Sequence, residues 1–275
     1  MSNTPRPTRN EQREAARQKA REMREAQKRS ASRKRVTLIS AIVAVVAGLG
    51  VAVAFSITSE VNNPTPTAGT PANMVFDQGI KIGKDLKAIT DKNVQADTPT
   101  IILYEDLQCM MCHKFETANM PQIRDWVNSG TYTLQVHPIS FLDGRATPNQ
   151  YSSRAGSATM CVANGDPNKF FDFNAALYAH WPEENTVGPS NDELAQRAQE
   201  VGVTNATVLD CIKKAKYQSY ILDYTQNTVF QNPVPGTNLT VDGTPYVVLN
   251  GQHYTGDIEN PAVFAQWVKT VAQSK

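Results

Sequence analysis

The sequence has few residues that could bind a metal. It contains four cysteines and four histidines among 275 residues, and a single close pair of cysteines, Cys109 and Cys112. A structural zinc site usually needs two more cysteine or histidine ligands grouped nearby, and only His113 stands close to this pair. We therefore predict neither a metal nor a cofactor.

The chain also has almost no net charge, +1 at pH 7, but its charge is unevenly distributed. Residues 1–35 contain 12 Lys and Arg against 4 Glu, so this arm is strongly basic and the remainder is acidic. The acidic part has no basic stripe interleaved with aromatic residues, which gives nucleic-acid binding little support. The basic arm is predicted to be cytoplasmic, as an orientation signal or as a helix or disordered tail on anionic lipid.

Long apolar runs are absent except at residues 36–57, which contain no charge. A helix of that length spans roughly 33 Å, enough to cross a bilayer. The positive-inside rule places residues 1–35 in the cytoplasm and everything after residue 57 outside. A cleaved signal peptide is the alternative, but no A-x-A-like site follows at residues 55–59. We expect a single-pass protein of the cell membrane with an uncleaved anchor.

A stretch rich in Pro, Thr and Asn follows the anchor. Residues 58–73 have almost no apolar side chains and cannot bury surface, so they are predicted to form a flexible linker. Residues 74–275 are numerous enough for one domain with its own core, and they contain no internal repeat.

The CxxC pair follows the apolar run 100–104 and opens a segment with helical spacing of apolar residues. At the start of a helix, unpaired amides and the positive end of the macrodipole stabilise a thiolate, which is the nucleophile of disulfide exchange. We therefore predict a redox-active dithiol. Cys109 is expected at the exposed helix start, as the attacking or attacked sulfur, and Cys112 one turn inside, as the resolving sulfur.

Apolar periodicity predicts a mixed α/β domain. Strands are expected at 75–76 with 80–82, 98–105, 131–139, 246–249 and 252–255, and helices at 110–126, 151–162, 168–181, 192–201, 206–229 and 261–272. Ser190 and Glu193 form a predicted capping box, and Gly202 a helix stop. The helices between the third and fourth predicted strands make an inserted block, about 149–230.

Three motifs carry a resemblance to a known family: YEDLQCMMCHKFE at 104–116, HPISFLD at 137–143 and GTPYVVLNG at 243–251. Over residues 75–273 the chain resembles the DsbA-like extracytoplasmic thiol–disulfide oxidoreductases, in the membrane-anchored form of actinobacteria. The resemblance implies a thioredoxin fold with an inserted helical subdomain, preceded here by one transmembrane helix. It also implies a cis peptide bond before Pro245, so that Thr244 and Pro245 face the CxxC and hold the substrate chain.

The implied activity is disulfide formation in exported proteins through a Cys109–Cys112 couple. The implied partners are unfolded exported proteins that contain cysteine and a quinone-linked membrane oxidase that recycles the enzyme. An exported reductase or isomerase would share the same site. A copper(I) metallochaperone using Cys109, Met110, Met111, Cys112 and His113 is a further alternative, since soft sulfur ligands favour that ion.

The sequence departs from the family between the two cysteines, where Met110 and Met111 replace the proline-first dipeptide of many members. These residues and His113 are expected to modulate thiolate stability and redox poise. Leu103 occupies the position where some thioredoxin-fold enzymes have a buried acid. Glu105, Asp106 and water are the candidates for proton transfer with Cys112, although both acids are expected to lie at the surface or the strand end.

Two further cysteines, Cys161 and Cys211, lie in the predicted helical block. In an oxidising compartment two leftover cysteines commonly pair, and actinobacterial members of the family carry such a second bridge. We expect a structural disulfide, with a redox-active shuttle or free buried thiols as alternatives.

Overall fold

The computed structural model describes residues 79–89, 98–143 and 150–274. All of them belong to one compact unit, Pro66–Lys275. No helix in these ranges combines the length and the apolarity that a membrane crossing requires. The basic arm, the predicted anchor 36–57, the linker and the predicted strand at 75–76 lie outside the described residues.

A five-stranded mixed sheet lies at the centre of the domain, in the order β1-β3-β2-β4-β5. The strands are β1 Ile80–Ile82, β2 Thr100–Glu105, β3 Thr133–Pro138, β4 Tyr246–Leu249 and β5 Gln252–His253. Strand β2 pairs in parallel with β3 and antiparallel with β4, while β1 and β5 form antiparallel edges. The sheet therefore places the carboxyl end of β2, and the CxxC after it, beside the start of β4.

Seven α-helices complete the described part of the chain. They are α1 Met110–Asn128, α2 Tyr151–Gly165, α3 Phe170–Ala179, α4 Asn191–Glu200, α5 Ala206–Lys213, α6 Gln218–Asp223 and α7 Pro261–Gln273. Short 3-10 turns occur at Lys84–Leu86 and Pro167–Lys169, and a π-helical turn, Tyr224–Val229, continues α6. Helices α2 to α6 all fall between β3 and β4, as the sequence predicted for the inserted block.

Strand β2 has buried side chains on both faces because side chains alternate along a strand. Ile101 and Leu103 point into the larger core, which the sheet shares with α1 and the inserted helices, whereas Tyr104 packs in a second core on the opposite face. In α1 the buried positions recur at the three- and four-residue spacing of an amphipathic helix. The insertion and the sheet thus share one hydrophobic core.

Local signals in the sequence set several element ends. Ser190 and Glu193 form the predicted capping box at the start of α4, and Gly202, with φ +89°, follows the end of that helix. Asn260 accepts hydrogen bonds from the first amides of α7, with Pro261 at its first turn.

The single helix predicted over 206–229 is wrong. The chain leaves the helix after α5 because Ala215 takes a left-handed conformation, with φ +43°, and the amide of Tyr217 donates to Ser157 Oγ of α2 over 2.9 Å. The continuous apolar spacing concealed this break, since the competing hydrogen bond comes from a distant helix.

Candidate active site

Cys109 stands at the junction of β2 and α1. The turn after β2 brings the amide of Cys109 to the carbonyl of Asp106, over 3.0 Å, and Cys109 itself is the N-cap of α1 with an extended backbone. The first amides of a helix have no partner within the helix, so this position presents hydrogen-bond donors to the sulfur. Cys109 is only 6% exposed, which corrects the expectation of an exposed helix start.

The surroundings of Cys109 favour its thiolate. Its pKa is lowered to about 6, chiefly by a hydrogen bond with the Cys112 side chain and further by the Thr244 side chain and the backbone amides of Cys112 and Met111. Burial opposes this shift. The protonated Cys109 thiol donates to the Thr244 carbonyl over 3.4 Å, which opposes ionisation as burial does. A substantial fraction of Cys109 is therefore ionised at neutral pH.

Cys112 has the opposite character. It is fully buried, and burial raises its pKa well above the ordinary value, with the neighbouring Cys109 adding to the effect. One stabilising contact reaches its sulfur, from the amide of Asp106 over 3.5 Å. Both cysteines are free thiols in this structure, so the site is seen in its reduced, dithiol form.

The loop before β4 faces the dithiol. The Thr244–Pro245 peptide bond is cis, and it directs the Thr244 carbonyl at Cys109. The Thr244 hydroxyl is buried beside the Cys109 sulfur, and it helps to lower the pKa of that thiol. The loop thus brings a backbone edge against Cys109.

The two acids beside the site are buried, which corrects the expectation of surface or strand-end acids. Glu105 ends β2 beneath α3, where Asn174 Nδ2 donates to its Oε1 over 3.0 Å, and it hydrogen-bonds to Glu116 of α1. Burial raises the pKa of Glu105 and of Glu116, so the pair retains a proton. Local sequence patterns do not indicate this burial, because the covering helix, α3, comes from the distant insertion.

Asp106 connects two of the family-like motifs. Its carboxylate accepts the amide of Gln108 over 2.8 Å and the amide of Leu142 over 2.9 Å, which joins the CxxC turn to the segment after β3. Burial raises the pKa of Asp106 to about 7. The Asp106 carboxyl can therefore exchange a proton near neutral pH, while the backbone amide of the same residue donates to the Cys112 sulfur.

The remaining predicted modulators separate into two environments. Met110 and Met111 are exposed, at 44% and 39%. His113 is half-buried, rather than an exposed helix residue, because its ring stacks on Trp181 with centroids 4.9 Å apart. Within the described ranges, no group of three or more His, Cys, Asp and Glu side chains is placed to hold a metal ion.

Sequence reasoning missed a contact segment from the insertion. Residues 181–189, which connect α3 to α4 and are called the strap below, lie against the CxxC turn. Trp181 Nε1 donates to the Gln108 carbonyl over 3.0 Å, and Gln108 Nε2 donates to the carbonyls of Glu183 and Thr186 over 3.2 and 3.0 Å. The buried glutamine before Cys109 was the available signal, since a buried amide side chain requires partners.

Cys161 and Cys211 are joined by a disulfide with a Cα–Cα distance of 5.8 Å. The bridge connects α2 to α5 within the helical insertion. His137, in the second motif, lies buried in β3 between Gln135 and the hydroxyl of Tyr224. Burial lowers the pKa of His137 to about 3, so it is a neutral part of the core.

Comparison with known proteins is consistent with this geometry. The family model described as thioredoxin matches residues 94–271. Serine/threonine-protein kinase PknE of Mycobacterium tuberculosis is 31% identical over 152 residues, which are 54% of this chain and 26% of PknE. The chain thus spans about a quarter of the length of the curated relatives it matches.

Solved structures match over a larger share. The reduced disulfide oxidoreductase DsbG from M. tuberculosis shares 29% identity with a TM-score of 0.57, covering 71% of this chain and 88% of that one. Reduced DsbA from the same organism shares 28% identity with a TM-score of 0.56, covering 71% and 92%. BdbD from Bacillus subtilis, at 18% identity and a TM-score of 0.52, covers 71% and 93% and shares the fold. This chain therefore belongs to the thioredoxin family and has a DsbA-like thioredoxin fold.

Proposed function

We propose that this protein forms disulfide bonds in unfolded exported proteins. The supporting observation is the asymmetry of the dithiol, in which the pKa of Cys109 is lowered to about 6 and that of Cys112 is raised. A stabilised thiolate favours the reduced protein, and its disulfide is correspondingly a stronger oxidant. This asymmetry favours an oxidase over an exported reductase or isomerase.

The reaction begins with the Cys109–Cys112 disulfide. A client thiolate attacks Cys109 Sγ, forming a mixed disulfide and breaking the bond to Cys112, which leaves as a thiolate. The Asp106 amide stabilises the Cys112 thiolate until it takes up a proton, for which Asp106 and the Glu105–Glu116 pair are the nearby acids. A second client thiolate attacks the client sulfur and releases the Cys109 thiolate. The client loses two electrons and two protons. The protein gains both electrons and one proton, on Cys112, and the second proton passes to solvent.

Thr244 and Pro245 hold the client chain in this proposal. The Thr244 carbonyl lies 3.4 Å from Cys109 Sγ, so an extended client segment beside it places a client sulfur next to Cys109. The buried Thr244 hydroxyl supplies a further polar group at the same edge. Met110 and Met111, next to Cys109 in the sequence, offer exposed apolar surface to an unfolded chain.

The proposed location is the outer side of the cell membrane. Residues 36–57 anchor the protein, residues 1–35 stay in the cytoplasm, and residues 58–73 tether the catalytic domain. The Cys161–Cys211 disulfide supports an oxidising compartment, because such bonds persist there. The reduced enzyme then returns two electrons to a disulfide-recycling oxidase of the membrane, of the quinone-linked type, and releases the proton of Cys112.

The reduction potential of the Cys109–Cys112 couple tests the direction. Equilibration of the full chain in detergent with glutathione should give a value nearer about −120 mV than about −270 mV, the values for DsbA and thioredoxin. The protein should also oxidise a reduced, unfolded secreted protein stoichiometrically and reduce insulin slowly. A potential close to that of thioredoxin, with rapid insulin reduction, would make it a reductase.

A further inference from the structure

The first turn of α1 has three backbone amides that find no carbonyl acceptor within the helix. The first hydrogen bond within the turn runs from the amide of His113 to the carbonyl of Cys109, over 3.0 Å, which leaves the amides of Met110, Met111 and Cys112. The amides of Met111 and Cys112 are directed at the sulfur of Cys109. The remaining donor is the amide of Met110.

That donor is bound by a carboxylate from the insertion. Glu184 Oε1 accepts the Met110 amide over 2.8 Å. Glu184 belongs to the strap and is separated from Met110 by 74 residues along the chain. Two groups that carry negative charge therefore share the N-terminus of α1, namely the Cys109 thiolate and the Glu184 carboxylate.

The position of Glu184 is fixed by its neighbours in the strap. Trp181 is hydrogen-bonded to the Gln108 carbonyl and stacked on His113, and Gln108 donates to the carbonyls of Glu183 and Thr186, on either side of Glu184. The strap thus has four contacts with the CxxC region besides that of Glu184. Removing the Glu184 charge should leave the strap in place.

We propose that Glu184 is a positioning residue that limits the oxidising strength of the dithiol through its hold on the Met110 amide. This inference rests on the proposed role of Cys109 as the reactive thiolate. The positive end of the helix macrodipole stabilises both the Glu184 carboxylate and the Cys109 thiolate. Because both groups are negative, the carboxylate also repels the thiolate. The oxidised protein has no thiolate, so the Glu184 charge favours the disulfide over the dithiol and lowers the reduction potential.

The other groups around Cys109 act from different elements. Cys112 lies on α1 and donates to the thiolate, Asp106 reaches it from the end of β2, and the Thr244 carbonyl faces it from the loop before β4. His113, also on α1, is turned toward Trp181. Glu184 is the carboxylate that the strap adds to this set, and it can be changed without touching either sulfur.

Glu184→Gln in the full chain in detergent tests the proposal, because it removes the charge and keeps an oxygen that can accept the amide. The pKa of Cys109 is measured from the pH dependence of iodoacetamide labelling, read by mass spectrometry, and the redox equilibrium with glutathione is measured alongside. Charge effects at a helix end predict a Cys109 pKa lower by about 0.2–0.7 units. The same free energy predicts that the equilibrium constant of the exchange with glutathione shifts about two- to fivefold toward the reduced protein.

Glu183→Gln is the matched control, since this neighbouring carboxylate is exposed and only its backbone carbonyl contacts the CxxC turn. It should leave both quantities unchanged, and Glu184→Ala should shift them in the same direction as Glu184→Gln. The proposal is overturned if Glu184→Gln matches the wild type, if only Glu184→Ala has an effect, or if Glu183→Gln has an equal effect. A wild-type Cys109 with an ordinary thiol pKa would instead overturn the proposed function.

Discussion

Cys109 and Cys112 have the same side chain but opposite pKa shifts, because one turn of helix separates their environments. Cys109 lies where helix amides are free to donate, whereas Cys112 lies inside the core with one amide directed at its sulfur. The thiolate therefore forms preferentially on Cys109, and the other sulfur is protected from solvent. At the residue scale this difference supports the proposed roles of the two sulfurs in the exchange reaction.

Single substitutions should separate those roles. We expect Cys112→Ala to accumulate mixed disulfides with exported proteins, since Cys109 can still be joined to a client but no resolving sulfur remains. Cys109→Ala should trap almost none, because the buried Cys112 is out of reach. Non-reducing electrophoresis of acid-quenched cells, followed by mass spectrometry, measures the adducts. Equal trapping by both variants would contradict the assignment.

The pKa of Cys109 also predicts how the reduction potential depends on pH. Below about pH 6 the reduced dithiol holds two protons, and between that value and the raised pKa of Cys112 it holds one. For a two-electron couple each proton contributes about 30 mV per pH unit, so the slope should fall from about 60 to about 30 mV per unit near pH 6. Equilibration with glutathione from pH 4.5 to 8 gives this curve. A slope of about 60 mV throughout would show that Cys109 is not a stabilised thiolate.

At the element scale, the inserted helices both cover the sheet and complete the active site. Helix α3 buries Glu105, the strap holds Gln108, and the π-helical turn brings Tyr224 to His137. The break between α5 and α6 lets the amide of Tyr217 bond to Ser157 of α2. The Cys161–Cys211 disulfide joins α5 to the same helix. The insertion is therefore a structural part of the site.

Removal of the disulfide in the insertion should lower stability and spare the chemistry. Its 50-residue separation corresponds to roughly 4 kcal/mol in the chain-entropy model. For a domain of this size we expect Cys161→Ala with Cys211→Ala to lower the Tm by roughly 10 °C. Thermal unfolding measures this, and client oxidation below the transition should persist.

Replacing Cys109 and Cys112 by alanine provides the control, because that variant should keep one disulfide and most of its Tm. Two free thiols in this variant, prepared from the cell envelope, would contradict a structural bridge.

At the scale of the whole molecule, the proposal places the domain outside the membrane and the N-terminus inside. Protease added to intact protoplasts should degrade residues 74–275 and leave a membrane-bound fragment that contains residues 1–35, because the bilayer protects the arm. Immunoblotting with a tag at each end detects the two parts. Recovery of the full chain in the soluble fraction, or loss of the N-terminal tag to the protease, would contradict the anchor.

The sequence by itself determined the features that depend on local chemistry. The CxxC after an apolar strand and the capping box at Ser190 follow from patterns a few residues long. Apolar spacing gave the existence and order of the strands and of most helices, since it reports which side of an element is buried. The likeness of three motifs to a family supplied the pairing of distant segments, which periodicity does not encode.

Only the tertiary structure decided how those segments meet around the dithiol. Three features depend on contacts across 40 or more residues of chain. They are the burial of Glu105 and Asp106, the packing of the strap against the CxxC turn and the break at Ala215. No local pattern specifies such contacts, because the free energy of a buried acid or a capped amide is set by the element packed against it. Glu184 illustrates this: it is an ordinary polar residue in the sequence, and only folding places its carboxylate at the amide beside Cys109.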